Sequence, residues 1–282
     1  MKGYISIILA GVCLAIVGTL VKLIGGSIPV LTIAFFRAAI AAAFLLIVLP
    51  FFDRSIFKVS RQDLKNYIIM GLLMALNFAS FISANALAPV SNVILLAYTF
   101  PFWLAIISHF FLKEKVSGFV IVCLAIAFAG IFIMNPFMGS AYTGNMFALF
   151  QAVIYAVLFA YMRYVDKRHH IGVVFWFILF AAIFLSPAPL IYGLGTVSWN
   201  YVWIIILGVV GTGMAYIFLN YGLEKLQAET SSIIIMTTEP IVAIVVAILA
   251  IGEVLALNVV AGGILIIAAG LLLEKKYKLT KR

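Results

Sequence analysis

The chain has 282 residues, of which 66% are hydrophobic and only 10% charged, with a mean hydropathy of +1.27. A soluble domain has too little interior to hide so much apolar surface, so the composition excludes a water-soluble enzyme or binding module and implies an all-α, polytopic membrane protein. The net charge of +9 would point to nucleic acid in a soluble protein; here the basic residues lie in loops and the tail, as a topology signal does, and no nucleic-acid partner is expected.

Charge-free blocks organise the chain. Residues 66–112 and 116–162, 47 each, and 171–223, another 53, contain no Asp, Glu, Lys or Arg, and each is long enough for two crossings at about 20 helical residues apiece. Uncharged breakers mark a hairpin inside each: Ala88-Pro89-Val90-Ser91-Asn92, then Asn135-Pro136 through Gly144, then Tyr192-Gly193-Leu194-Gly195 through Asn200. The predicted spans are 4–24, 29–50, 65–85, 91–111, 117–135, 144–163, 171–191, 201–221, 230–251 and 255–273, ten transmembrane helices in all. The first begins with Met1-Lys2 and an apolar run, as a signal peptide does, but Lys22 follows it without a small-residue cleavage site, so it reads as a retained span. Cys13 and Cys123 both fall inside spans, which argues against a disulfide framework.

Of the 18 basic residues, 16 fall on one side of these spans: Lys2, those of 54–65, Lys113, Lys115, those of 163–168, Lys225 and the tail from Lys275. The opposite loops hold none. The positive-inside bias then puts both termini in the cytoplasm of a multi-pass protein expected in the cell membrane.

The second helix carries Pro29 and, eight residues on, Arg37. That spacing is about 12 Å along a helix axis, which sets the guanidinium in the outer third of the membrane. A cation there meets an anionic group of a cargo, pairs transiently with an acid, or holds two helices together, and the residues alone leave all three open. Lys22 sits nearer the surface, where its stem reaches headgroups. On the third helix Asn77, Ser80, Phe81 and Ala84 form a partly polar stripe. Tyr98 and Trp103 on the fourth, with Trp176 on the seventh, are candidate aromatic walls for a planar or amphipathic ligand. Gln151 and Tyr155 stand at i and i+4 on the sixth helix, and Thr212, Tyr216 and Asn220 at i, i+4 and i+8 on the eighth. Such stripes line a cavity or make interhelical hydrogen bonds worth about 0.6 kcal/mol each; their recurrence at mid-depth on several helices points to a shared lumen. Gly208, Gly211 and Gly213 allow close helix approach, and Trp199, Tyr201 and Trp203 read as an interfacial belt.

The ninth helix is the centre of the chain. Its apolar run, 231–252, is interrupted by Thr237-Thr238-Glu239-Pro240. Glu239 falls near the midplane, where a carboxylate costs roughly 2.5 to 3.5 kcal/mol on insertion scales and so faces a bundle interior or a watery cavity. Pro240 lacks the N–H its position calls for and predicts a kink beside the acid. Glu239 binds a cationic group, or carries a coupling proton as the cavity changes exposure, or belongs to a helix-breaking pair satisfied by neighbouring helices. With Arg37 and the polar and aromatic residues above, it makes the candidate substrate site. His109 and His169-His170 have no ligand partners at metal spacing, so no metal is expected. There is no phosphate-cradling Gly-Lys-Ser/Thr loop, and no cofactor is expected. Nor does a second acid or a Ser-His-Asp set accompany Glu239, which argues against an enzyme.

The halves of the chain are alike. In each, Ala86-Leu87 or Gly222-Leu223 precedes a polar turn and a helix carrying Pro101 or Pro240; 13 residues later comes Glu114 or Glu253, then a Gly/Ala-rich helix. Five helices per half is an odd number, so the second copy crosses upside down, giving repeats of 1–138 and 139–282 with Glu114 at the cytoplasmic face and Glu253 at the outer one. These residues, with Pro29 and Ala34-Phe35-Phe36-Arg37, resemble the drug/metabolite transporter superfamily, in particular its EamA-like branch of two inverted five-helix repeats, over nearly the whole chain. The family's usual Trp-Gly pair in the first helix is replaced by Cys13, Leu14 and Gly18, and Phe100 stands in repeat one where Glu239 stands in repeat two. The resemblance implies a secondary carrier: alternating-access transport, expected as export, of a small organic solute such as an amino acid or related metabolite. A passive channel, an efflux carrier of amphipathic drugs or cations, and an importer of an anionic metabolite compete with it. The implied partners are the small-molecule substrate, the bilayer and a coupling proton; the number of copies is not implied.

Overall fold

The computed structural model describes residues 2–51, 59–111, 113, 118–134, 136–137, 139–165, 171–196, 199–226 and 228–280. Among them every regular element is a helix, as lipid demands: hydrocarbon offers no water to backbone N–H and C=O groups, so an apolar segment pairs them internally. Helix α1 (Lys2–Ile24) meets α2 (Val30–Val48) through a 3-10 turn, with Pro29 at the α2 N-terminus, where its missing N–H would be unpaired anyway. Ser60 caps α3 (Arg61–Leu87), its Oγ accepting from Asp63 N at 3.1 Å. The fourth crossing is α4 (Val90–Ala97) plus α5 (Phe100–Phe111), followed by α6 (Gly118–Met134) and α7 (Tyr142–Tyr164). Then come α8 (Ile171–Leu185) with the short α9 (Pro187–Tyr192), and α10 (Asn200–Gly208) with α11 (Ala215–Lys225). The chain closes with α12 (Ala228–Ile251) and α13 (Leu257–Thr280). Among the described residues eight stretches are long and apolar enough to cross a membrane, and Gly118–Met134 and Leu257–Leu272 are shorter apolar helices. The chain is a polytopic all-α membrane protein, as its composition requires.

Packing follows small residues. Helix α6 lies along α13, α3 along α7 and α8, and α1 along α12 and α11. The α6–α13 crossing is backbone on backbone: a Cβ on Gly130 would stand 2.7 Å from the Gly262 carbonyl oxygen. Gly208 faces Ile40, Gly211 faces Val17 and Gly213 faces Phe44, so α1 and α2 approach the eighth crossing closely. Two apolar clusters result, one built mainly from α1, α2, α3 and α8, the other from α4, α6, α12 and α13. Phe132, Leu249 and Ile264 stay exposed outside both, on the surface a bilayer covers.

Three local features depart from the sequence expectation. Helix α12 runs through Pro240 without a break, with Thr237 Oγ1 donating to Ile234 O at 3.0 Å. The interruption falls instead in the fourth crossing, at Tyr98 and Thr99 ahead of Pro101. There Thr99 Oγ1 donates to Leu96 O at 2.6 Å and accepts from Trp103 Nε1 at 3.1 Å, so one side chain bridges the halves that the proline cannot join. The eighth crossing is not uniform either: Val209–Met214 is π-helical, and Thr212 Oγ1 donates to Leu207 O, five residues back, at 3.1 Å. The wider turn sets Thr212 off from the α-helical register of Tyr216 and Asn220, which both follow it in α11.

At the bundle end away from Lys2 and Lys225, Glu253 in the turn after α12 accepts from Val90 N and Ser91 N, both at 2.8 Å. This carboxylate caps α4 where the helix dipole is positive. Lys22 stands close enough for its charge to attract it. Glu114, the corresponding acid of the first half, lies outside the described residues. Replacing Glu253 by Ala should cost about 1 to 3 kcal/mol, because two N–H groups lose their partner. A lowered thermal unfolding midpoint in detergent checks this; an unchanged one would show that the strap adds nothing to stability.

Candidate functional site

Between the two apolar clusters lies a cavity of about 190 Å³, lined by Val17, Phe78 and Tyr216 from one and Ile94, Tyr98 and Met236 from the other. It runs from mid-depth, where Arg37, Asn77 and Glu239 line it, toward Leu223 and Ser231 at the bundle end that carries Lys225. Glu239 is only partly buried, so its carboxylate meets the cavity. Tyr98, standing in the break between α4 and α5, donates from Oη to Glu239 Oε2 at 2.7 Å and lies 3.2 Å from Ile235 O. A phenol on a carboxylate is a charge-assisted bond, stronger than a neutral pair.

Arg37 is held on two sides. Its Nε donates to Thr212 Oγ1 at 2.9 Å, and its Cζ lies 4.3 Å from the centroid of the Phe78 ring and 5.8 Å from that of Phe81. The cation thus rests on an aromatic face, which offsets part of the cost of its depth. Thr212 reaches it from the π-helical segment, which aims a hydroxyl that is also tied to Leu207 O. Arg37 and Glu239 attract each other across the cavity rather than as a contact pair. Tyr155 and Tyr216, from α7 and α11, line the same cavity and interact with one another and with both charges. The rings of Phe100 and Phe159 pack edge-on against Tyr155, with centroids 5.2 and 4.8 Å away. Three side chains of the wall each keep one buried atom without a hydrogen-bond partner: Arg37 Nη1, Asn77 Nδ2 and Gln151 Oε1.

Of the residues singled out in the sequence, Glu239, Arg37, Asn77, Tyr98, Gln151, Tyr155 and Tyr216 therefore meet at one cavity. Trp103 and Asn220 stand elsewhere. Trp103 is turned to Thr99 and packs edge-on against Phe128 at 5.7 Å, and Asn220 donates to Tyr216 O at 2.9 Å. Trp176 stacks on Tyr67 with centroids 6.3 Å apart, inside the first cluster. The wall also includes Phe78, Ser231 and Met236, which the sequence did not single out; only the neighbourhood of Asn77 on α3 and Glu239 on α12 hinted at them.

The model of the EamA-like transporter family matches the chain twice, over residues 1–135 and 142–274. The chain is 27% identical to the "Uncharacterized transporter YoaV" of Bacillus subtilis over 85% of each. It is 29% identical to the "Pseudopaline exporter CntI" of Pseudomonas aeruginosa over 66% of each. It is 23% identical to the "S-adenosylmethionine uptake transporter" of Rickettsia bellii over 71% of this chain and 68% of that one. A protein of known crystal structure superposes with a TM-score of 0.65 over 99% of this chain and 98% of its own, at 17% identity, a likeness of fold alone.

Proposed function

Because the chain belongs to the EamA-like transporter family, we propose that it is a secondary carrier working by alternating access, exporting a small organic solute such as an amino acid or related metabolite across the cell membrane. The observation that carries this reading is the mid-depth cavity with Glu239 and Arg37 on its wall, built from helices of both halves of the chain. The halves, 1–138 and 139–282, act as inverted repeats. Two findings support that: the family model matches each half, and the helix packing has a twofold pattern. Exchange α1 with α7, α2 with α8, α3 with α10–α11, α4–α5 with α12, and α6 with α13. Then α1 on α12 becomes α7 on α4–α5, α3 on α7 becomes α11 on α1, α3 on α8 becomes α10 on α2, and α6 on α13 maps to itself. Two similar halves that can swap conformations open a central site to one side and then the other.

In this reading the basic residues mark the cytoplasmic face, both termini lie there, and the cavity reaches toward it. The outer end is shut by Glu253 on α4 and by Thr196 N donating to Ser27 O at 2.9 Å. Glu239 is the acid that a coupling proton would occupy. An exporter and an uptake transporter both stand among the relatives; export is the direction we favour.

Counterflow tests the carrier. In vesicles reconstituted with the purified protein, unlabelled solute on one side should stimulate saturable entry of labelled solute from the other. Flux that follows the gradient without saturation or counterflow would mean a channel. Reporter fusions test the topology: the 137–143 loop should report outside and the 166–170 loop, which lies outside the described residues, should report inside. Any other pattern overturns the repeat assignment.

A further inference from the structure

The polar atoms of the cavity wall define the charge pattern of its cargo. Arg37, Asn77 and Gln151 line the same cavity, are 4%, 5% and 7% exposed, and each keeps one buried polar atom without a partner: Nη1, Nδ2 and Oε1. Buried polar groups in folded proteins are nearly always paired, and an orphan is costly. Three lining side chains that the protein itself leaves incompletely satisfied mark places for a ligand's atoms. Thr212 and Phe78 already occupy Nε and one face of the Arg37 guanidinium. They fix its plane and leave Nη1 without a protein partner. On the wall of the same cavity the Asn77 amide supplies a second unused N–H, and two donors together suit an oxyanion such as a carboxylate.

The other charge is Glu239. A carboxylate accepts at about four positions, and Tyr98 takes one of them; Gln151 Oε1 is a further unused acceptor on the wall. Acceptors with a negative charge suit a protonated amine. Arg37 and Glu239 balance each other across the cavity, so a cargo with both charges leaves neither uncompensated, whereas a simple cation or a simple anion leaves one. Apart from Tyr155, Tyr216 and Ser231 the rest of the wall is apolar, with Leu14, Phe81, Phe100, Phe159 and Leu219. At about 190 Å³ the hollow holds roughly six waters at ~30 Å³ each and is smaller than the ~300 to 1,000 Å³ of drug-sized pockets.

We propose that the cavity is a two-ended clamp for a zwitterion with an apolar side chain, with Arg37 and Asn77 holding the carboxylate and Glu239 and Gln151 holding the ammonium group. The proposal deepens the carrier reading and rests on it for the name of cargo, but binding tests it separately. The probes are phenylalanine, phenylalaninamide, whose carboxylate is replaced by a neutral amide, and 3-phenylpropionate, which lacks the amine, with leucine and its amide as a second set. Binding to the full-length protein in detergent is read by titration calorimetry.

The zwitterion of at least one set should bind at least tenfold tighter than either one-ended analogue. Arg37→Lys and Asn77→Ala should each narrow the gap between zwitterion and amide by at least threefold while leaving the gap to 3-phenylpropionate in place. Glu239→Gln should do the reverse. The variants are compared only where their gel-filtration profile matches that of the parent, and Asn77→Ala, which removes no charge, serves if Arg37→Lys does not fold. Equal binding of zwitterion and amide, tighter binding of a one-ended analogue, or no binding of either zwitterion overturns the clamp. Selective binding without counterflow would instead overturn the carrier and leave the clamp standing; counterflow of a simple cation or anion would do the opposite.

Discussion

Glu239→Gln is expected to lower transport by roughly 10- to 100-fold while the protein still reaches the membrane and runs as a single species on gel filtration. The range follows from the value of a hydrogen bond to a charged group, about 1.5 to 3 kcal/mol, at about 1.4 kcal/mol per tenfold. Glutamine has nearly the same shape, and its carbonyl can still accept from Tyr98 Oη, which now sits 2.7 Å from the carboxylate. Packing against Tyr98 and Ile235 therefore survives, and what disappears is the charge and the ability to carry a proton. Any pH dependence of uptake that arises at this side chain disappears with it. Uptake and pH profile both equal to those of the parent, measured in the same vesicles, would remove Glu239 from the mechanism.

The second large effect is on assembly. Gly262→Val should unfold or misassemble the protein, because the α6–α13 crossing has no room for a side chain. A Cβ at Gly262 would meet Gly130 O, the Met134 Cγ at 2.5 Å and the Met134 N at 3.0 Å. Two of those three atoms are backbone and cannot rotate away, so the helices must part. Overpacking typically costs about 1 to 3 kcal/mol where side chains can adjust, and a backbone contact puts this site at or above the upper end. Gly262→Ala should show a graded loss. Gly118→Ala and Gly26→Ala, where nothing lies within 4 Å of the added carbon, should leave the profile unchanged. A thermal midpoint for Gly262→Val equal to that of the parent would mean that α6 and α13 do not meet as described.

The crossings were legible because lipid imposes a rule that composition obeys: nearly all charges fall between spans, and the charge-free blocks counted themselves out in helix lengths. Arg37 and Glu239 were legible for the same reason, since a charge at depth needs a polar neighbour. Asn77, Gln151 and Tyr155 followed as polar residues at mid-depth, and they line the cavity. What stayed hidden depends on contacts distant in sequence. Asn220 follows Tyr216 by one helical turn, as the spacing says, but its amide turns back onto Tyr216 O, and Leu219 and Leu223 take the wall instead. Trp103 looked like a wall because it is aromatic and deep, but Thr99 claims its Nε1. The Pro240 kink was expected from proline chemistry, yet the break appears at Tyr98 and Thr99 in the other half, where the chain turns a phenol onto the acid. Gly130 and Gly262 were two small residues among many, and nothing local says that they face each other. The partner of Glu253, an N-terminus 162 to 163 residues away, could not be read from either stretch alone.

Alternation of access is the claim on which the rest depends, and a cysteine in the cavity wall tests it most directly. Ala97 lines the cavity and is small, so Ala97→Cys, in a background with Cys13 and Cys123 replaced by Ala, gives one reporter thiol. Its reaction with a membrane-impermeant maleimide is timed in right-side-out and in inside-out vesicles, with and without Glu253→Ala, which releases the outer strap. Reciprocal change is expected: removing the strap raises the rate from the outer face and lowers it from the cytoplasmic face. Rates that rise or fall together at both faces, or a thiol that no reagent reaches from either, would contradict it.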